Sequence, residues 1–294
     1  MLDIPGGVLL MGSEEFYPEE GPVHEREVAD FTLDAYAVTN EQFAQFVAET
    51  GYQTVAERPL RPSDFPGADP RDLVPGALVF TPTRGPVDLR EWRQWWTWVP
   101  GACWKRPYGG TFLSGERADH PVVHIAYEDA ETYADWAGKR LPTEAEWEWA
   151  ARGGMRGRRF AWGDESTLEG ALQANTWQGA FPYWNSGAGG WVGTSPVGLF
   201  PPNGYGAYDM IGNVWEWTAD VWTHRHVPPG WSGVGANGRA NLLAVEPDPR
   251  HARRVLKGGS HLCAPEYCLR YRPAARSPQS EDTATTHIGF RCAR

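Results

Sequence analysis

The run Gly138-Lys139-Arg140-Leu141-Pro142-Thr143-Glu144-Ala145-Glu146-Trp147-Glu148 sets two helix boundaries within one short stretch. Gly138 closes a helix predicted over Glu128 to Ala137, in which Ala130, Tyr133, Ala134 and Ala137 share one face. After Pro142, the segment Thr143-Glu144-Ala145-Glu146 has the form of a capping box. The threonine hydroxyl takes the N–H three residues on, and the glutamate side chain reaches back to the threonine N–H. The helix it opens carries Trp147 and Ala150 and stops at Gly153. Large apolar residues on short, well-capped helices belong to a core, so this run speaks for architecture.

The same reading extends outward. Ile4 to Met11 alternates around Gly6-Gly7 and reads as a strand after a turn, and Phe31 to Val38 reads as a strand by its period of two. Thr39-Asn40-Glu41-Gln42 is a further capping box, followed by Phe43, Phe46 and Val47 at helical spacing and stopped by Gly51. Arg58 to Arg117 is rich in Pro, Gly and Trp and is read as irregular. Its tryptophans (Trp92, Trp95, Trp96, Trp98 and Trp104) argue that it is ordered. His224-Arg225-His226 and the Pro/Gly-rich stretch to Arg250 read as a solvated loop, while Arg254 to Lys257 and Ile288 to Cys292 read as closing strands. Gly204-x-Gly206 lies outside any strand–loop–helix unit and is not taken for a nucleotide loop. There is no internal repeat and no linker, so residues 1–294 are read as one domain.

Composition narrows the function classes. A net charge of −10 excludes nucleic acid and an anionic membrane surface as expected partners. With 34 Gly and 25 Pro the chain must turn often, and its 16 Trp supply the apolar surface that keeps it folded. No segment reaches the roughly 18 uninterrupted apolar residues that span a bilayer. Met1 to Gly7 shows no charged leader with an apolar run, so a cytoplasmic protein is expected. Four cysteines are too few for a disulfide scaffold.

Two of the four, Cys263 and Cys268, stand in Gly258-Gly259-Ser260-His261-Leu262-Cys263-Ala264-Pro265-Glu266-Tyr267-Cys268-Leu269-Arg270-Tyr271-Arg272. A turn after Gly-Gly presents both sulfurs together. Paired thiolates suit Cu(I) or Zn(II), and equally suit dithiol–disulfide redox cycling. A short structural disulfide or two unrelated buried thiols are the plainer readings.

This stretch resembles the active-site segment of the formylglycine-generating enzymes. The matching positions are Gly258, Gly259, Ser260, Cys263, Cys268, Tyr271, Arg272, Ala275 and Arg276, with Gly289-Phe290-Arg291 near the end. Pro5 to Gly12, the run from Gly138 to Glu148, and Gly212-Asn213-Val214-Trp215-Glu216-Trp217 continue the resemblance. The resemblance implies an α+β, loop-rich single domain, a C-type-lectin-like variant low in regular secondary structure. It further implies an oxidase in which Cys263 and Cys268 hold Cu(I). Its substrate would be a cysteine in a Cys-x-Pro-x-Arg segment of an unfolded or nascent sulfatase-type protein, converted to Cα-formylglycine by O2. Ser260, Trp104, Tyr267 and Arg276 would bind substrate, the loop Val99 to Trp104 would border the groove, and Arg272 is a further candidate.

Calcium is the structural cofactor that the resemblance implies. Asn213, Val214 and Glu216 would supply one site, and Asn175, Thr176 and Trp191 half of another. Gly189 stands where that second site's Asp is expected, so one calcium is expected at most. Ala151 replaces the partner cysteine of Cys292, which is therefore read as a buried thiol, and Cys103 is read as incidental. The alternative is a lectin-like binding module of the same fold without catalysis. A sulfoxide synthase is discounted because only His24 precedes His120, and structural zinc because it wants four ligands.

Overall fold

The computed structural model describes residues 1–64, 66–113, 115–227 and 252–294. Four strands open the chain: β1 (Leu2–Ile4), β2 (Gly7–Met11), β3 (His24–Val28) and β4 (Phe31–Leu33). β1 pairs with β4 and β2 with β3, both antiparallel. The predicted strand Ile4 to Met11 is thus split at Pro5-Gly6. A Cβ on Gly6 would lie 2.4 Å from the Val28 carbonyl oxygen, so the close approach of the two hairpins needs glycine there. The strand expected to reach Val38 ends at Leu33, where the chain turns into α1 (Asn40–Thr50).

Helix α1 has the predicted capping box on Thr39, and Gly51 ends it in the left-handed conformation at φ 69°. Within the stretch read as irregular, β5 (Gly76–Phe80) and β6 (Trp96–Pro100) form an antiparallel hairpin, which corrects that reading. α2 (Tyr127–Trp136) and α3 (Glu144–Arg152) follow. In α3 the Thr143 N–H donates to Glu146 Oε2 at 2.8 Å and the Glu146 N–H to Thr143 Oγ1 at 3.2 Å, as the capping box predicts.

The last third carries the principal sheet, in order β10 (Ile288–Gly289), β7 (Trp215–Val221), β8 (Arg253–Lys257), β9 (Arg276–Ser280). β10 runs parallel to β7, and the other neighbours are antiparallel. Most of the solvated loop expected after His226 lies outside the described residues. The largest core cluster packs Phe43 and Phe46 of α1 and Tyr133 of α2 against Trp215, Trp217, Phe290 and Cys263. A second cluster seats Ala145, Trp147, Ala150 and Ala151 of α3 on the N-terminal strands. Burying such aromatic surface supplies the bulk of the stabilisation.

Candidate active site

β8 delivers the chain to the cysteine loop. Gly258 and Gly259 have φ of 95° and 72°, and a Cβ on either would come within 3 Å of backbone atoms of Met210 or Tyr271. The chain then closes two turns. The Cys263 N–H donates to the Ser260 carbonyl at 2.9 Å, and the Cys268 N–H to the Ala264 carbonyl at 2.7 Å. These turns bring the sulfurs of Cys263 and Cys268 to 3.0 Å from one another. A disulfide would measure about 2.05 Å, so both thiols are free.

The two thiols differ in environment. Cys263 is 2 % exposed, and burial followed by the hydrogen bond to Cys268 pushes its pKa well up. Cys268 is half-buried, and the hydrogen bond from Cys263 lowers it to about 7, with the Arg270 guanidinium helping and burial opposing. The pair is therefore one thiol donating to one incipient thiolate. Two facing soft sulfurs fit a soft monovalent metal. Cys263 and Cys268 would hold such an ion between them, and Cys268 is the more exposed of the two.

The segment Phe16 to Glu20, some 250 residues upstream, grips this loop. The Leu269 N–H donates to the Tyr17 hydroxyl at 3.1 Å, and Arg270 meets Glu19 at 2.6 Å while lying over the Tyr17 ring at 3.9 Å. Arg272 forks onto both oxygens of Glu20, lies over Phe16 at 3.8 Å, and donates from Nε to the Leu269 carbonyl at 2.7 Å. None of these contacts was read from the sequence. On the other side Tyr267 stacks on Phe181 at 4.4 Å and meets Trp95 edge-on, within a cluster that also holds Trp177 and Trp96.

Ser260 is fully buried beneath the pair. Its N–H donates to Cys263 Sγ at 3.4 Å, its hydroxyl accepts the Leu262 N–H, and Nδ1 of His287 lies 3.2 Å away. Two expected substrate residues are placed elsewhere. Trp104 is 8 % exposed and packs edge-on against Phe43 in the core. Arg276 is 1 % exposed and is spent on Glu144 and on the Glu19 and Thr223 carbonyls, so it is an internal ion-pair residue. Arg272 is likewise consumed by Glu20.

The expected calcium ligands are corrected in part. Oδ1 of Asn213 accepts the Ser195 N–H at 3.0 Å and the Asn175 amide at 3.3 Å, while its Nδ2 donates to the Ser195 carbonyl at 3.1 Å. As placed, both lone pairs of that oxygen are taken, and the side chain ties the loops together. Asn175 turns its amide nitrogen towards Gly193, Thr176 is held by Gln178, and Trp191 stands edge-on to His120. Glu216 takes Arg291 on both oxygens, at 2.7 and 2.8 Å, and Trp147 at 2.8 Å. Near it in sequence, Asp209 is pushed up to about 6 by burial, with the Glu216 carboxylate adding to the shift. Both carboxylates already have partners as placed, Glu216 in Arg291 and Trp147 and Asp209 in the Gly198 N–H at 2.6 Å. Among the described residues no three His, Cys, Asp or Glu side chains converge to hold a metal. No helix there is long and apolar enough to cross a membrane.

The family model described as the sulfatase-modifying factor enzyme 1-like domain matches residues 1–294. The chain is 61% identical over 293 residues to a formylglycine-generating enzyme of Mycobacterium tuberculosis, covering 99% of this chain and 96% of that protein. It is 46% identical to one from Thermomonospora curvata, covering 100% and 92%. Among solved structures it resembles PvdO from Pseudomonas aeruginosa, with a TM-score of 0.65, 25% identity, and coverage of 99% and 92%.

Proposed function

The chain belongs to the sulfatase-modifying factor enzyme 1-like family, and from that premise we propose that it is a formylglycine-generating oxidase. Its substrate is a cysteine in a Cys-x-Pro-x-Arg segment of an unfolded sulfatase-type polypeptide, which becomes Cα-formylglycine at the expense of O2. One observation carries this reading: two free thiols 3.0 Å apart, the inner one buried and the outer one at the face of the loop.

Cys263 and Cys268 would hold copper in its monovalent state, which supplies the electron-transfer and O2 chemistry that amino-acid side chains lack. The chain's own residues provide order. The Glu20–Arg272 pair and the Tyr17 hydroxyl hold the Leu269 backbone, and with it the outer cysteine. Ser260 presents its N–H to the inner sulfur. Tyr267 is the half-buried ring beside the pair and rests on the buried Phe181 and Trp95, which leaves an extended peptide the Tyr267 side to lie against.

The test is direct. Protein loaded with Cu(I), given O2 and a Cys-x-Pro-x-Arg peptide, is expected to convert thiol to aldehyde, read by mass spectrometry and by aminooxy capture. Wild-type turnover by Cys263→Ser, or no aldehyde from the loaded wild type, would overturn the proposal.

A further inference from the structure

Asn40, the first residue of α1, is fixed by two bonds. Its backbone N–H donates to the His120 carbonyl at 2.9 Å, and its Nδ2 donates to the Arg117 carbonyl at 2.9 Å. A carbonyl only accepts, so that bond decides which amide atom is the nitrogen. The remaining atom, Oδ1, is buried and has no partner among the described residues. Buried acceptors are almost always hydrogen-bonded, to protein or to ordered water. His261, in the cysteine turn, is pinned in the same manner. Its backbone N–H and its Nδ1 both meet the Asn213 carbonyl, at 3.0 and 2.8 Å. The ring proton is therefore on Nδ1. A buried imidazole is uncharged at neutral pH, so Nε2 carries a lone pair, and no hydrogen bond reaches it among the described residues.

Asn40 and His261 line one cavity of about 10 Å³, set between the start of α1, the loop ahead of His120 and the cysteine turn. That volume is about one water molecule. Arg117 lines it too and puts a positive charge beside His120 and His261. The wall hydroxyls of Thr194 and Thr286 are already engaged, by His120 Nδ1 at 3.0 Å and by the Phe80 N–H at 3.2 Å. This chemistry selects the occupant. Two bare acceptors repel an anion, and the Arg117 charge repels a metal ion. A neutral molecule with two hydrogens to give and a lone pair to take a guanidinium N–H suits all three groups. We propose that the cavity binds one ordered water, which donates to Asn40 Oδ1 and His261 Nε2 and accepts from Arg117. The water ties the front of α1 to the turn that carries Cys263, whatever substrate the cysteines serve.

The test is a crystal structure that resolves ordered solvent, with a bromide-soaked crystal beside it. One peak is expected within about 2.7–3.2 Å of both Oδ1 and Nε2, with no anomalous signal from bromide. No peak, a bromide ion at the site, or the Arg117 guanidinium seated directly on Oδ1 would each overturn the proposal. A double-mutant cycle reads the same bond in solution. Asn40 and His261 make no direct hydrogen bond, so coupling between them reports the bridge. Asn40→Ala is expected to lower the folding constant about five- to tenfold more in the wild type than in the His261→Phe background, the worth of one net hydrogen bond. Urea melts of the four proteins at neutral pH measure it, and equal costs in the two backgrounds would overturn the bridge. Where a variant does not fold, the wild-type crystals decide alone.

Discussion

Replacing Glu20 by Ala should be among the most damaging single changes outside the cysteines. Glu20 is fully buried and is the carboxylate partner of Arg272, which is 1 % exposed. Removing it strands a guanidinium in the interior, with the Leu269 carbonyl and the Phe16 and Tyr17 rings left to it among the described residues. Breaking a buried pair from one side costs about 3–5 kcal/mol, mostly the desolvation of the charge left behind. An unfolding entropy of about 2.1 cal/mol/K per residue over a chain of this size gives roughly 0.6 kcal/mol per degree, so the melting temperature should fall by about 5–8 °C. The neighbouring pair is an internal control. Glu19 and Arg270 keep 19 and 25 % of their side-chain surface, so water screens them and Glu19→Ala should cost no more than about 1 kcal/mol. Because Arg272 also ties Leu269, Glu20→Ala should loosen the outer cysteine and weaken Cu(I) binding in a competition titration. The double change Glu20→Leu with Arg272→Met should recover much of the stability and none of the tether. Thermal and urea melts of the four proteins settle it. Equal losses for Glu20→Ala and Glu19→Ala would refute the assignment of the buried pair as the clamp.

Acid should destabilise the fold below about pH 6.5. Burial holds His124 and His261 down at about 4 and His287 at about 3, so the unfolded chain binds protons first and stability falls as pH drops through that window. Asp129 and Asp209, raised to about 6 by burial, offset part of this between pH 6 and 4, because there the folded state binds the extra protons. Glu148, which burial pushes up but Lys257 and Arg152 hold at about 2, adds its loss below about pH 4.5. Urea midpoints that rise from pH 7 to pH 5 would contradict this balance. In native protein free of metal, iodoacetamide should label Cys268 first, with Cys103 and Cys292 protected by burial, as peptide mapping will show. Labelling of Cys292 first would rule out the packing described.

What the sequence revealed and what it concealed divide by separation along the chain. The capping boxes on Thr39 and Thr143 were legible because donor and acceptor lie three residues apart, and the glycine stops because a left-handed φ is a property of one residue. The cysteine pair was legible for the same reason, its two turns being closed by backbone within five residues. β7 was missed because Trp215 to Thr218 are buried on both faces, which erases the alternation by which a strand is recognised, and β9 because it carries Pro278 among polar residues. Arg276 was assigned to substrate because it stands beside the cysteine motif, yet its carboxylate partner Glu144 sits 132 positions earlier on α3. Asn213 was read for calcium alone, and its bonds to Ser195 were not visible. In each case a polar side chain near the motif was claimed for function, although burial had already committed it to a partner that only folding supplies. The same rule, run in reverse, picks out Cys268. It is half-buried in the packed region around the cysteine loop, with a sulfur lowered towards thiolate. Chemistry at this site therefore has to run through the few polar atoms that the ion pairs have left over, and the grip of Phe16 to Glu20 on Leu269 to Arg272 is what keeps those atoms in place.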